Sequence, residues 1–191
     1  MQKLCLSRQK LLWYISPDHG VSAWTIGRVR VESADNYKIV ITAMRSNKFL
    51  GFVAIDDFEF VISPVTCSTL PEVASPSSPA PPSTTASPGG LQDCTFQSGL
   101  CGWSVDQELN DTQWFYFKRE FGDELTAGGL GPGEDHEQST AAYFLWADAT
   151  LGKPDTNTAI SSPIVATSSQ VCFQFWFDLK VSQMFLYFKY K

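Results

Sequence analysis

The chain has little of what most enzymes and metalloproteins require. Its 191 residues include two histidines and five cysteines. No two cysteines form a C-x-x-C pair, which argues against a structural zinc site. G-x-S-x-G, H-E-x-x-H and a glycine-rich phosphate loop are all missing, so common hydrolase and nucleotide-binding devices are not expected. No apolar run reaches the ~18–20 residues that would cross a bilayer. Net charge is −6, without clustered Lys and Arg, and this excludes a nucleic-acid interface built on phosphate neutralisation. The first ten residues break their short apolar patch with Arg8 and Lys10, so they do not read as a signal peptide. Charged residues make up only 18% and apolar residues 43%, a globular balance rather than a disordered one. The length allows one or two domains.

Aromatic residues are what the chain does have: six Trp, six Tyr and fourteen Phe, a composition that favours strands. Thr25–Val31, Tyr37–Ala43, Gly51–Ile55, Ala141–Ala147 and Val171–Phe177 read as strands. In the second, Tyr37, Ile39, Ile41 and Ala43 share one face by the two-residue period. In the last, Val171, Phe173, Phe175 and Phe177 face opposite to Cys172, Gln174 and Trp176. No segment has a helix period of comparable strength, so the chain is expected to be all-β. Composition divides it into three: 1–71, a Pro/Ser/Thr-rich linker at 72–90, and 91–191, which ends in an apolar tail at 180–191. The linker holds five of the eleven prolines (Pro76, Pro79, Pro81, Pro82 and Pro88) and is expected to be extended and solvated. Its Ser/Thr content suits O-glycosylation as well as a plain spacer. The apolar tail is expected to lack a strand partner and so to form an aggregation-prone edge.

Two acidic sites invite a chemical reading. Asp56 and Asp57 are adjacent, but successive strand residues point to opposite faces, so their carboxylates are not expected to converge. Asp57 is expected at a strand end, accepting backbone or loop hydrogen bonds. Asp135-His136 lies in a Gly- and acid-rich loop, Gly122–Asp135 and onward, without a nucleophile beside it. Both are assigned to structure rather than catalysis. Cys94 and Cys101 enclose six residues, enough for a loop whose ends reach disulfide distance, unless the chain stays in a reducing compartment with both thiols free. Asn110-Asp111-Thr112 is the single N-glycosylation triplet.

Separated motifs resemble the MAM family of extracellular β-sandwich modules, in an unusual order. Asp93-Cys94-x-Phe96, Leu100-Cys101-Gly102-Trp103, Asp106, Asn110-Asp111 and Trp114 are similar to the start of that module. Gly131-Pro132, Asp135-His136, Tyr143, Ser162-Pro163 and Cys172-x-x-Phe175-Trp176 follow in its spacing. The end of the module, however, is resembled by the earlier residues Leu12-Trp13, Asp18-x-Gly20, Trp24, Ala54-Ile55-Asp56-Asp57 and Cys67. Departures are Gln97, where the family has Glu, and the run from Asp178 onward.

This resemblance implies a jelly-roll-like β-sandwich of antiparallel sheets, with residues 1–71 as the C-terminal part of one MAM domain and 91–179 as the N-terminal part of a second. The order of the pieces allows a circularly permuted domain assembled from both. Cys67 would then meet Cys172, leaving Cys5 as the odd thiol, with Cys94–Cys101 as the second bridge. The family's cation position implies Asp57 and Asp111 as candidate ligands, Asp106 after them, with Ca²⁺ as the ion and solvated acids without any cofactor as the competing reading. Asn110 is the glycosylation candidate. The function implied is non-enzymatic adhesion or protein binding, extracellular or at the cell surface, with protein partners that include a second copy. The competing expectations are an accessory piece of a surface protease or receptor phosphatase, and a truncated product without a role of its own.

Overall fold

The computed structural model describes residues 9–15, 23–33, 36–45, 51–61, 67–74, 92–105, 117–122, 131–148, 157–165, 171–180 and, for the backbone, 182–190. Among the described residues ten strands follow one another: β1 (Gln9–Ile15), β2 (Thr25–Val31), β3 (Tyr37–Arg45), β4 (Phe52–Val61), β5 (Ser104–Val105), β6 (Lys118–Phe121), β7 (Tyr143–Asp148), β8 (Asn157–Ser161), β9 (Val171–Lys180) and β10 (Ser182–Tyr190). They form two five-stranded sheets, ordered β1-β10-β3-β8-β5 and β2-β9-β4-β7-β6, and every pairing is antiparallel. The chain is a jelly-roll-like all-β sandwich, and in each sheet the first four strands come alternately from the two sides of the Pro-rich segment.

The core follows from alternation along β9. Phe173, Phe175 and Phe177 are fully buried between the sheets, while Gln174 and Trp176 on the opposite face are partly exposed. Trp13 of β1 meets Phe175 and Phe177 edge-on at 5.3 and 5.4 Å between centroids, the arrangement that ring quadrupoles favour. Its indole N–H donates to the Leu70 carbonyl, so the polar end of the ring is satisfied. Phe58 sits at the centre of a second aromatic group, touching Phe96, Trp103 and Phe173. Gly27 of β2 lies opposite Phe175, and a Cβ there would come within 2.5 Å of that ring.

The structure departs from several sequence expectations. The tail is not an unpartnered edge: β10 is hydrogen-bonded to β1 on one side and β3 on the other. Its apolar, β-prone composition is what a central strand requires. β3 is buried on both faces, since Val40 and Thr42 are covered as well as Ile39, Ile41 and Ala43. β4 does not stop at Ile55 but continues through Asp56 and Asp57 to Val61. Glu72–Ala74, placed in the linker by composition, belong to a turn in which Ala74 donates to the Pro71 carbonyl and is buried in the core.

Cys94 is joined to Cys101 and Cys67 to Cys172, with Cα separations of 5.8 and 5.6 Å. The second bridge spans 105 residues of sequence. Cys5 lies outside the described residues.

Two stability outcomes follow. Gly27→Ala should destabilise the fold by about 1–3 kcal/mol through overpacking against Phe175, measured by urea denaturation. Replacing Cys67 and Cys172 together with Ala should cost about 2–5 kcal/mol, because the lost cross-link closes a long loop in the unfolded chain. A midpoint unchanged from the parent in either melt would contradict the packing or the bridge concerned.

Candidate functional site

A bulge in β4 builds the site. Asp56 pairs with Trp176 and Glu59 with Gln174, so three steps along β4 match two along β9. The extra residue bends the strand and re-aims its side chains. Asp57 takes a φ of 43°, in the left-handed region that Asp tolerates better than most residues. The strict in-out alternation therefore fails here, and the two carboxylates do converge. Each brings its Oδ2 to 3.5 Å from Nδ1 of His136. This corrects the expectation that they would point apart, and it places Asp57 within the strand rather than at its end.

His136 is delivered by the segment 131–142, which Asp135 organises. The buried Asp135 carboxylate accepts the backbone N–H groups of Glu137 and Ser139, at 3.0 and 2.8 Å, and Asp135 exchanges further backbone bonds with Gln138 and Ser139. Trp24 donates its indole N–H to the Glu134 carbonyl, fastening the segment to the outer face of the β2-β9-β4-β7-β6 sheet. There the His136 ring stacks on Trp176, with centroids 4.7 Å apart and planes 16° from parallel. Asp56 closes the junction: its carboxylate accepts the N–H of Asp57 at 2.9 Å and the backbone N–H of His136.

Beside this cluster lies an open cleft of about 300 Å³. β4 contributes Asp57, Phe58 and Glu59; β9 contributes Gln174 and Trp176; Asp93 and Thr95 form the far wall. The wall is held by paired backbone bonds of 2.8 Å between Phe58 and Cys94, and by Asp93 accepting the N–H of Phe60. A polar row crosses the sheet, in which Arg28 donates to Gln174 and Gln174 donates to Glu59. Three carboxylates and an exposed indole edge thus surround a space the size of a single long side chain.

Asp56, Asp57 and His136 offer donor atoms within 4.8 Å of one another, and His136 Nδ1 is buried without a hydrogen-bond partner. Two carboxylates and an imidazole are a mixed donor set, whereas Ca²⁺ takes six to eight oxygens. The described residues therefore do not fit a calcium site by themselves. Gln97 is also committed elsewhere: its amide accepts from the Tyr143 N–H and donates to the Tyr143 and Thr95 carbonyls. Asp106, Asn110 and Asp111 lie outside the described residues. His136 was legible in the sequence as half of the Asp135-His136 motif, but nothing in the sequence pointed to its meeting Asp56 and Asp57.

Burial, reinforced by the Asp57 charge, pushes the Asp56 carboxyl up to about 8, against the pull of the two backbone N–H groups. Asp178, buried on the outer row of β9 with Oδ1 unpartnered, is pushed up to about 6 by burial, against the pull of Lys180. Both groups hold a proton more tightly in the fold than in the unfolded chain, where each would ionise near the ordinary aspartate value of 3.8. Between those limits the folded state carries more protons, so stability falls as pH rises. For chelator-treated protein, the urea midpoint should drop steadily from pH 5 to pH 8. Asp56→Asn should flatten that slope by up to about 1.4 kcal/mol per pH unit. A slope identical to the parent's would show that Asp56 is ionised throughout.

Residues 94–188 match the family model of the MAM domain, meprin/A5/mu. The match takes in Cys94, Cys101, His136, Cys172 and Trp176, and it extends along most of β10. No solved structure matches the chain. MAM domains are found in extracellular or cell-surface proteins, generally as non-catalytic modules of adhesion and protein interaction. Within this antiparallel sandwich, the segment of residues 94–188 belongs to the MAM domain family.

Proposed function

We propose that the chain is a non-enzymatic binding module that works outside the cell, and that it engages a protein partner through the cleft between β4, β9 and Asp93. The observation that carries this reading is the cleft's composition. Asp57, Glu59 and Asp93 line a space that also presents Trp176, a combination suited to a Lys or Arg side chain, whose charge meets the carboxylates while its apolar stem packs on the indole. Interface anchors are commonly aromatic residues in pockets of this kind. Asp56 is almost wholly buried, with its oxygens held by backbone donors, a role in fastening the loop rather than in proton transfer to a substrate.

In the same reading the sandwich is one domain made of two MAM pieces, residues 1–71 and 91–179, in permuted order. Support comes from strands of both regions interleaving in each sheet and from the Cys67–Cys172 link between them. The parent is a secreted or surface protein, and the contacts it makes do not depend on calcium.

The test is to produce the chain in a secretory host behind a supplied leader, coat it on beads, and measure bead clustering and binding to cells. Binding should weaken at least about tenfold for Trp176→Ala and for Glu59→Gln combined with Asp93→Asn, a loss of the size seen when an interface anchor is removed. It should fall with added salt, as acidic pockets require, and be unchanged by calcium or chelator. Folded protein that neither clusters beads nor binds any surface would refute the adhesion reading.

A further inference from the structure

We infer that residues 9–74 of one copy can be accepted by residues 92–190 of another, so that the chain assembles by exchanging strands between copies. The pairing pattern carries this. β1 pairs with β10, β2 with β9, β3 with β10 and β8, and β4 with β9 and β7. Among the described residues, none of β1–β4 pairs with another of the four. The N-terminal region therefore has no sheet of its own. The C-terminal region keeps β5–β8 and β6–β7, but without the N-terminal strands both edges of β9 and both edges of β10 are left open.

Open edges on two adjacent long strands are templates for strand addition. Among the described residues, β1–β4 are the strands that pair with these edges in register. Trp13 fills the space over Phe175 and Phe177, and Phe58 fills that between Phe96, Trp103 and Phe173. Backbone bonds from Tyr37 to Val165 and from Phe58 to Cys94 add to the seam. None of these contacts depends on which copy supplies the strands. Apart from the seam itself, the regions are tied by the backbone of residues 75–91 and by Cys67–Cys172. Exchange thus preserves every pairing, and the choice between one copy and two is set by chain concentration against the effective concentration imposed by that connection. Exchange of the Cys67 and Cys172 thiols with a small-molecule disulfide, which leaves as two thiols, then records the choice covalently.

Equal amounts of reduced, unfolded chain carrying ¹⁴N and ¹⁵N are folded together under oxidising conditions across a concentration series, then digested without reduction. Mixed-isotope Cys67–Cys172 peptides should be scarce at high dilution and rise with concentration toward about half of that linkage, the limit of full exchange between equal populations. Cys94–Cys101 peptides should stay single-isotope throughout, since that bridge closes within one region. If refolding gives no native protein, co-secretion of two differently tagged chains and non-reducing capture of one tag by the other reads the same linkage. Single-isotope or single-tag Cys67–Cys172 at every concentration overturns the inference. So does equal mixing in both bridges, which would mark random oxidation.

Discussion

β9 and β10 are the strands on which everything else hangs. Each has two edges of backbone donors and acceptors to satisfy, and for both strands the partners come from residues near the opposite end of the chain. A buried N–H or C=O left without a partner costs as much as several favourable contacts supply. The sandwich therefore cannot be divided at the Pro-rich segment into two self-sufficient pieces. The aromatic core obeys the same division of labour, since Trp13 and Phe58 come from one region and Phe173, Phe175 and Phe177 from the other. Cys67–Cys172 adds a covalent tie across the same seam.

The cleft and the carboxylate-imidazole cluster are by-products of one irregularity in this frame. A single extra residue in β4 turns Asp57 toward the 131–142 segment and leaves Asp56 buried as the acceptor that fastens it. Without the bulge, Asp57 would follow the alternation of its neighbours, and His136 would face only one of the two acids. Stacking on Trp176 fixes the imidazole plane, while Asp135 fixes the turn that carries it. The strained backbone at Asp57 is thus tied to the position of the acidic cleft.

Regular alternation was legible in the sequence. β2 begins and ends at the residues its pattern indicated, and the inward set Phe173, Phe175 and Phe177 is the one a two-residue period selects. β3 and β9 were found but run longer than their patterns, because Met44-Arg45 and Asp178-Leu179-Lys180 are held by partners distant in sequence. The bulge was not legible: nothing in Ile55-Asp56-Asp57-Phe58 distinguishes a left-handed Asp from an extended one. Nor was the place of β10, since its apolar composition suits a loose edge and a central strand equally, and only the gap between β1 and β3 decides. The convergence of Asp56, Asp57 and His136 depends on both a local kink and a contact across about eighty residues of chain, and periodicity carries neither kind of information.

The distance in sequence between paired strands also sets the order in which the protein can be made. Gln9 is paired with Lys189, and β3 with the same last strand. On a ribosome adding about 5–20 residues per second, β1 waits roughly ten to forty seconds for its partner to be synthesised, and longer for it to clear the exit tunnel. Through that interval Trp13, Ile39, Ile41 and Phe58 have no interior to enter. The nascent chain consequently exposes these apolar side chains along its first third, and long-range pairing of this kind folds slowly once all strands are present.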